Sequence, residues 1–90
     1  MARYEILISK RACRFLNERV DRETKGKILD EVADLENFPF LSRPHDMAKL
    51  KGKKNYYRFR VGQLRIIFRI DKPSKKIYVE KIDYRKSVYK

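Results

Sequence analysis

Residues 56–70 read YYRFRVGQLRIIFRI, and their alternation decides the fold. Tyr57, Phe59 and Val61 share one parity, while Tyr56, Arg58 and Arg60 share the other. After Gly62-Gln63 the pattern resumes: Leu64, Ile66, Phe68 and Ile70 alternate with Arg65, Ile67 and Arg69. A period of two is that of a strand buried on one face. A two-residue loop with glycine first predicts a hairpin closed by a type II′ turn. Closing that hairpin sets Arg60 directly across from Arg65, and facing like charges destabilise a sheet. The pair becomes favourable once an anion sits between the two guanidinium groups.

The rest of the chain supplies something for the apolar face to cover. Arg3–Ile8 (RYEILI) is β-branched and aromatic, and reads as a first strand. Ser9 is placed to cap a helix over Lys10–Arg19, with Ala12, Phe15, Leu16 and Arg19 on one stripe. Asp21 is placed to cap a second helix over Arg22–Asn37, where Ile28, Val32 and Leu35, joined by Leu29, follow helical spacing. Phe38–Asn55 reads as a loop broken by Pro39 and Pro44, ending in the basic tip KLKGKKN. DKPSKK (71–76) is a turn and Ile77–Asp83 a last strand, followed by a short tail. In that strand Ile77 and Val79 share a face but Ile82 falls on the other, which predicts a bulge or end twist near Ile82. The expected architecture is α+β, β-α-α-β-β-β, in one domain over residues 1–90. An antiparallel sheet packs on an N-terminal helical hairpin and turns its arginine face outward.

The charge is asymmetric. The 90 residues carry a formal net charge of +12. Residues 1–37 hold eight basic and eight acidic side chains, so the entire excess lies in residues 38–90. A cationic half beside a balanced half favours a directed face for a polyanion. All the hairpin cations are arginines, whose planar fork suits bidentate phosphate contacts. Lys49, Lys51, Lys53 and Lys54 lead into the hairpin and extend a track for a charged backbone, with Tyr56, Tyr84 and Tyr89 available to stack on unpaired bases. Recognition-helix and zinc-finger patterns are missing, so a single-stranded or irregular RNA suits the sheet better than a DNA groove. Cys13 is the only cysteine, no apolar run approaches a membrane span, and the chain reads as a soluble cytoplasmic protein.

Several chemistries are set aside by the sequence. It has no phosphate-binding glycine loop, no paired Cys/His ligands and no acidic cluster, so no metal or cofactor is expected. His45 is the only histidine, which rules out a two-histidine acid–base pair. Cleavage of RNA by its own 2′-OH remains. It needs cations on the developing phosphorane, a base and an acid. Arginines supply the first, and a tyrosine among guanidinium groups is pushed towards its phenolate form. Such a site would be slow unless something else positioned the substrate.

KLKG (49–52), YYRFRVGQLRIIFRID (56–71) and IYVEKIDYRKSVY (77–89), in this order, resemble the RelE/ParE toxin superfamily, most of all its RelE branch. The resemblance covers nearly the whole chain. It implies a RelE-like (microbial RNase-like) fold and the toxin of a type II toxin–antitoxin pair. It further implies a metal-independent endoribonuclease that cuts mRNA in the ribosomal A site, leaves a 2′,3′-cyclic phosphate and inhibits translation. Arg58 and Arg60 match the cations after the family tyrosine, and Arg65 the phosphorane-stabilising arginine. Arg85 matches the C-terminal arginine proposed as acid or charge stabiliser, and Tyr89 the terminal tyrosine proposed as base or stacking residue. With Lys49, Lys51, Lys53, Lys54, Tyr56, Arg69 and Tyr84 as RNA contacts, these make up the expected site. The family implies an acidic, RelB-like antitoxin that neutralises the cationic face and covers or displaces residues 84–90. Two alternatives stand beside this one: a ParE-like inhibitor of DNA gyrase, and a non-catalytic RNA- or ribosome-binding module.

Overall fold

Alternation in the hairpin sequence becomes a two-sided sheet. The computed structural model of the chain describes residues 3–41 and 46–84. Its elements are β1 (Glu5–Ile8), α1 (Lys10–Arg19), α2 (Arg22–Ala33), a 3-10 turn (Asp34–Asn37), β2 (Asp46–Lys49), β3 (Tyr56–Val61), β4 (Leu64–Asp71) and β5 (Lys76–Tyr84). The strands form one sheet in the order β1-β5-β4-β3-β2. Phe59, Val61, Leu64, Ile66, Phe68 and Ile70 are buried, as their parity predicts. Each large apolar side chain so covered is worth about 1.5–3 kcal/mol. Tyr57 is half-buried and stacks on Phe68 with ring centroids 5.5 Å apart. Gly62 has φ +58° and Gln63 does not share a positive φ, the combination of a type II′ turn.

The helical hairpin covers the apolar face. Ser9 Oγ accepts the Ala12 amide and Asp21 Oδ2 the Thr24 amide, each at 3.1 Å, so both expected caps are made. Ala12 and Leu16 of α1, and Ile28, Val32 and Leu35 around α2, are buried against the sheet. Leu29, expected to join that stripe, is exposed, because it lies off the i, i+4, i+7 line. The second helix ends at Ala33 rather than Asn37 and tightens into the 3-10 turn. There the Glu36 carbonyl accepts the Tyr4 amide at 3.0 Å and Phe38 N–H donates to the Leu35 carbonyl.

Two features of the sheet differ from the expected architecture. Residues 46–49, expected within a loop, form an edge strand antiparallel to β3. It is only four residues long, and Met47 alone carries the alternation by packing against the core. The sheet is mixed, because β1 runs parallel to β5. The helical hairpin returns the chain across the sheet, so the last strand is inserted between β1 and β4.

The expected irregularity in the last strand is a bulge at Glu80. Ile67 pairs with Lys81 and Phe68 with Val79, which leaves Glu80 without a partner in the ladder. One extra residue reverses the parity of the strand beyond it. That restores Ile82 to the face already occupied by Ile77 and Val79, and all three are buried.

Candidate nucleic-acid interface

The outer face of the sheet is built in rows, one residue from each strand. Asp46 on β2 pairs with Arg60 on β3, Arg60 with Arg65 on β4, and Arg65 with Asp83 on β5. The facing arginines are therefore in register as expected, but the row reads acid–arginine–arginine–acid. Opposite charge on each outer flank offsets the repulsion between the central pair. Arg65 Nη2 donates to Asp83 Oδ2 at 3.1 Å, and Lys81 Nζ lies 3.5 Å from the same oxygen. On the other flank Asp46 is shared. Its Oδ1 lies 3.9 Å from Arg58 Nη1 and its Oδ2 3.7 Å from Arg60 Nη1.

A second row is aromatic and cationic. Tyr56 pairs with Arg69 and Arg69 with Tyr78. The Arg69 guanidinium lies 4.3 Å from the Tyr78 ring centroid, within cation–π range. Its Nε donates to Glu80 Oε2 at 3.2 Å, and Tyr56 Oη donates to the same oxygen at 3.4 Å. The Glu80 hydrogen bond raises the Arg69 pKa above its ordinary value, so the charge is held fast. The bulge ties this row to α1, since the Glu80 carbonyl accepts Ser9 Oγ at 2.9 Å and Arg11 Nε at 3.0 Å. Lys53 Nζ stands 5.2 Å from the Tyr56 ring centroid and extends the cationic surface at the β2–β3 loop.

The fold thus gathers Arg58, Arg60, Arg65, Arg69, Tyr56 and Lys53 on one side. It does not bring Tyr84 there. Past the bulge, Tyr84 follows the parity of Ile82, packs edge-on to Phe15 at 5.5 Å and donates from its hydroxyl to the Arg19 carbonyl at 2.6 Å. Lys49 also differs, pairing with the inward-facing Tyr57 at the open edge of the sheet. Lys51 and Lys54 are exposed in the loop. Arg85, Tyr89 and His45 lie outside the described residues.

Asp46, Glu80 and Asp83 were not singled out in the sequence. They are three of the four acids in residues 38–90, and separations of 34 and three residues made them look dispersed. The signal for Asp83 was available only with the bulge placed, and that for Asp46 only with β2 recognised. Even with these acids present, the face keeps unused donors. Among the described residues, the buried Nη1 of Arg58 and Nε of Arg65 have no hydrogen-bond partner, nor does Oδ1 of Asp83. Buried polar atoms left without a partner are costly, so the arginine face carries an energetic penalty that the packing beneath it offsets.

A helical hairpin packed on one side of a mixed sheet is a fold shared with RelE toxins. The RelE–RelB complex of Pyrococcus horikoshii OT3 matches with a TM-score of 0.79 and 26% identity, covering 94% of this chain and 97% of that one. The RelB–RelE antitoxin–toxin complex of Methanococcus jannaschii matches at 0.75 and 29% identity, covering 92% and 94%. The isolated Escherichia coli RelE toxin shares the fold at a TM-score of 0.74 with 14% identity, over 96% and 90% of the two chains. No curated protein matches by sequence. The family model for the ParE toxin of the type II toxin–antitoxin system, parDE, matches residues 6–89, and the chain belongs to that toxin family within the RelE/ParE superfamily.

Proposed function

We propose that this toxin is a ribosome-dependent, metal-independent mRNA endonuclease that cleaves in the A site by attack of the 2′-OH. The observation that carries the reading is the convergence of Arg58, Arg60 and Arg65 on one face, with side chains 21%, 38% and 25% exposed. Partly desolvated guanidinium groups stabilise a developing phosphorane better than fully hydrated ones. In this reading Arg65 carries that charge, Arg58 and Arg60 grip the flanking phosphate, and Tyr56 and Arg69 hold neighbouring nucleotides. Arg85 and Tyr89 complete the proton transfers as acid or charge stabiliser and as base or stacking residue. The ribosome supplies the substrate alignment that a site without histidine pairs lacks.

The partner is an acidic antitoxin of RelB type that covers the arginine face. The Pyrococcus and Methanococcus relatives were solved as RelE–RelB complexes. Association with a +12 chain is expected to be fast and to slow with salt.

Two observations favour a second reading. The matching family model is that of ParE, and the carboxylates of Asp46, Glu80 and Asp83 reduce the positive field of the face. A DNA gyrase inhibitor need not keep a phosphorane site. Primer extension on ribosome-bound mRNA, beside the same mRNA free in solution, separates the two. Cuts confined to the A-site codon, reduced about 100- to 1,000-fold by Arg65→Ala, support the nuclease. No cuts, with gyrase supercoiling blocked equally by the parent and by Arg65→Ala, support the gyrase inhibitor.

A further inference from the structure

The two acids that flank the arginine row are held differently. Asp83 is 18% exposed, lies on an inner strand and makes a 3.1 Å hydrogen bond to Arg65. Asp46 is 59% exposed and lies on a four-residue edge strand. Its oxygens stand 3.9 Å and 3.7 Å from Arg58 and Arg60, beyond hydrogen-bond length. Arg58 Nη1 is nevertheless buried and has no hydrogen-bond partner among the described residues. One carboxylate thus addresses two guanidinium groups, one oxygen to each, without closing a bond to either. That is the place of a two-oxygen anion, held by charge alone at the edge of the sheet.

We propose that Asp46 is a built-in counter-anion occupying the Arg58/Arg60 clamp, and that an incoming phosphodiester group displaces it. The clamp rests on the geometry, whereas naming the phosphodiester as RNA rests on the proposed nuclease reading. In the free protein Asp46 offsets the cost of placing two guanidinium groups side by side. In the bound state the phosphate takes both arginines and forms the hydrogen bonds that Asp46 leaves unmade. Asp46 is therefore a positioning residue that sets the threshold for binding, and Asp83 stays in place to fix Arg65.

The test compares Asp46→Asn with Glu18→Gln, which changes the net charge equally on the exposed side of α1. Inorganic phosphate is titrated while the arginine Nε–Hε resonances are followed, and a labelled single-stranded RNA is titrated by fluorescence anisotropy. Asp46→Asn is expected to tighten both by about three- to fivefold over Glu18→Gln, the scale of an exposed ion pair. The salt dependence of RNA binding should steepen by about 0.7 in the log–log slope for each arginine charge set free. Phosphate affinity no higher in Asp46→Asn than in Glu18→Gln overturns the displaceable anion, whatever RNA does. Tighter phosphate binding with RNA binding indifferent to Arg58→Ala and Arg60→Ala sustains the clamp and removes RNA as its ligand.

Discussion

Arg65 and Asp83 face each other across the β4–β5 ladder and are joined at a single point, Nη2 to Oδ2 at 3.1 Å. Arg65 Nε and Asp83 Oδ1 are buried and take no part. An arginine fork set squarely on a carboxylate would satisfy both atoms. The offset leaves Arg65 anchored through one nitrogen, with its Nε not hydrogen-bonded among the described residues. It also couples the face to the stability of the sheet.

Asp83→Ala should lower stability by about 1–3 kcal/mol, because it leaves a partly buried guanidinium without its acceptor. A double-mutant cycle with Arg65→Ala, read by urea unfolding, should return a coupling of about 1 kcal/mol. A coupling within error of zero would mean that the bond does not hold the strands together.

Ser9 serves two elements at once, accepting the Ala12 amide and donating to the Glu80 carbonyl at the bulge. Ser9→Ala should therefore cost more than an ordinary cap deletion of about 1 kcal/mol. Hydrogen exchange should quicken both in the first turn of α1 and around residues 79–82. Acceleration confined to the helix would show that the bulge is held by β5 itself.

Two glycines predict opposite signs. At Gly62, φ is +58° and a Cβ would meet no atom within 4 Å, so Gly62→Ala should cost about 1–2 kcal/mol through backbone strain alone. Gly26 lies inside α2 with equally open surroundings and no positive φ. Gly26→Ala should stabilise the protein by about 0.5–1 kcal/mol. Thermal unfolding of the two variants checks both, and equal signs would contradict the assigned turn.

The Asp21 carboxyl is held below its ordinary value of 3.8 by hydrogen bonds from Thr24. A depressed folded pKa contributes stability that is present above the unfolded value and is lost as pH falls through the folded one. Asp21→Asn keeps a capping side chain but removes this titration. Its stability should match the parent more closely at about pH 2–3 than at about pH 6, measured by urea midpoints across that range. An equal gap at every pH would mean that the charge adds nothing to the cap.

Much of the fold was legible because it rests on local periods. The inward parity of Phe59, Leu64, Ile66 and Phe68, the caps at Ser9 and Asp21, and the Gly62 turn are all short-range, and each is found where it was expected. The bulge was legible too, since Ile82 broke an otherwise regular alternation. Strand β2 was not, because four residues with one apolar anchor carry no period to detect. Tyr84 went to the helix side because the bulge reverses parity before it, and no count along the chain without the bulge can show that.

Sequence by itself determined the hairpin, its arginine parity, the register of Arg60 against Arg65 and the cationic character of the second half of the chain. These rest on spacing within a few residues and on total charge. Only the tertiary structure decided what stands beside the arginines. Asp46, Glu80 and Asp83 reach them from strands separated in sequence, and the pairing order of β2, β3, β4 and β5 is set by burial of the opposite face. The core fixes the ladders, and the ladders place each carboxylate next to its guanidinium group.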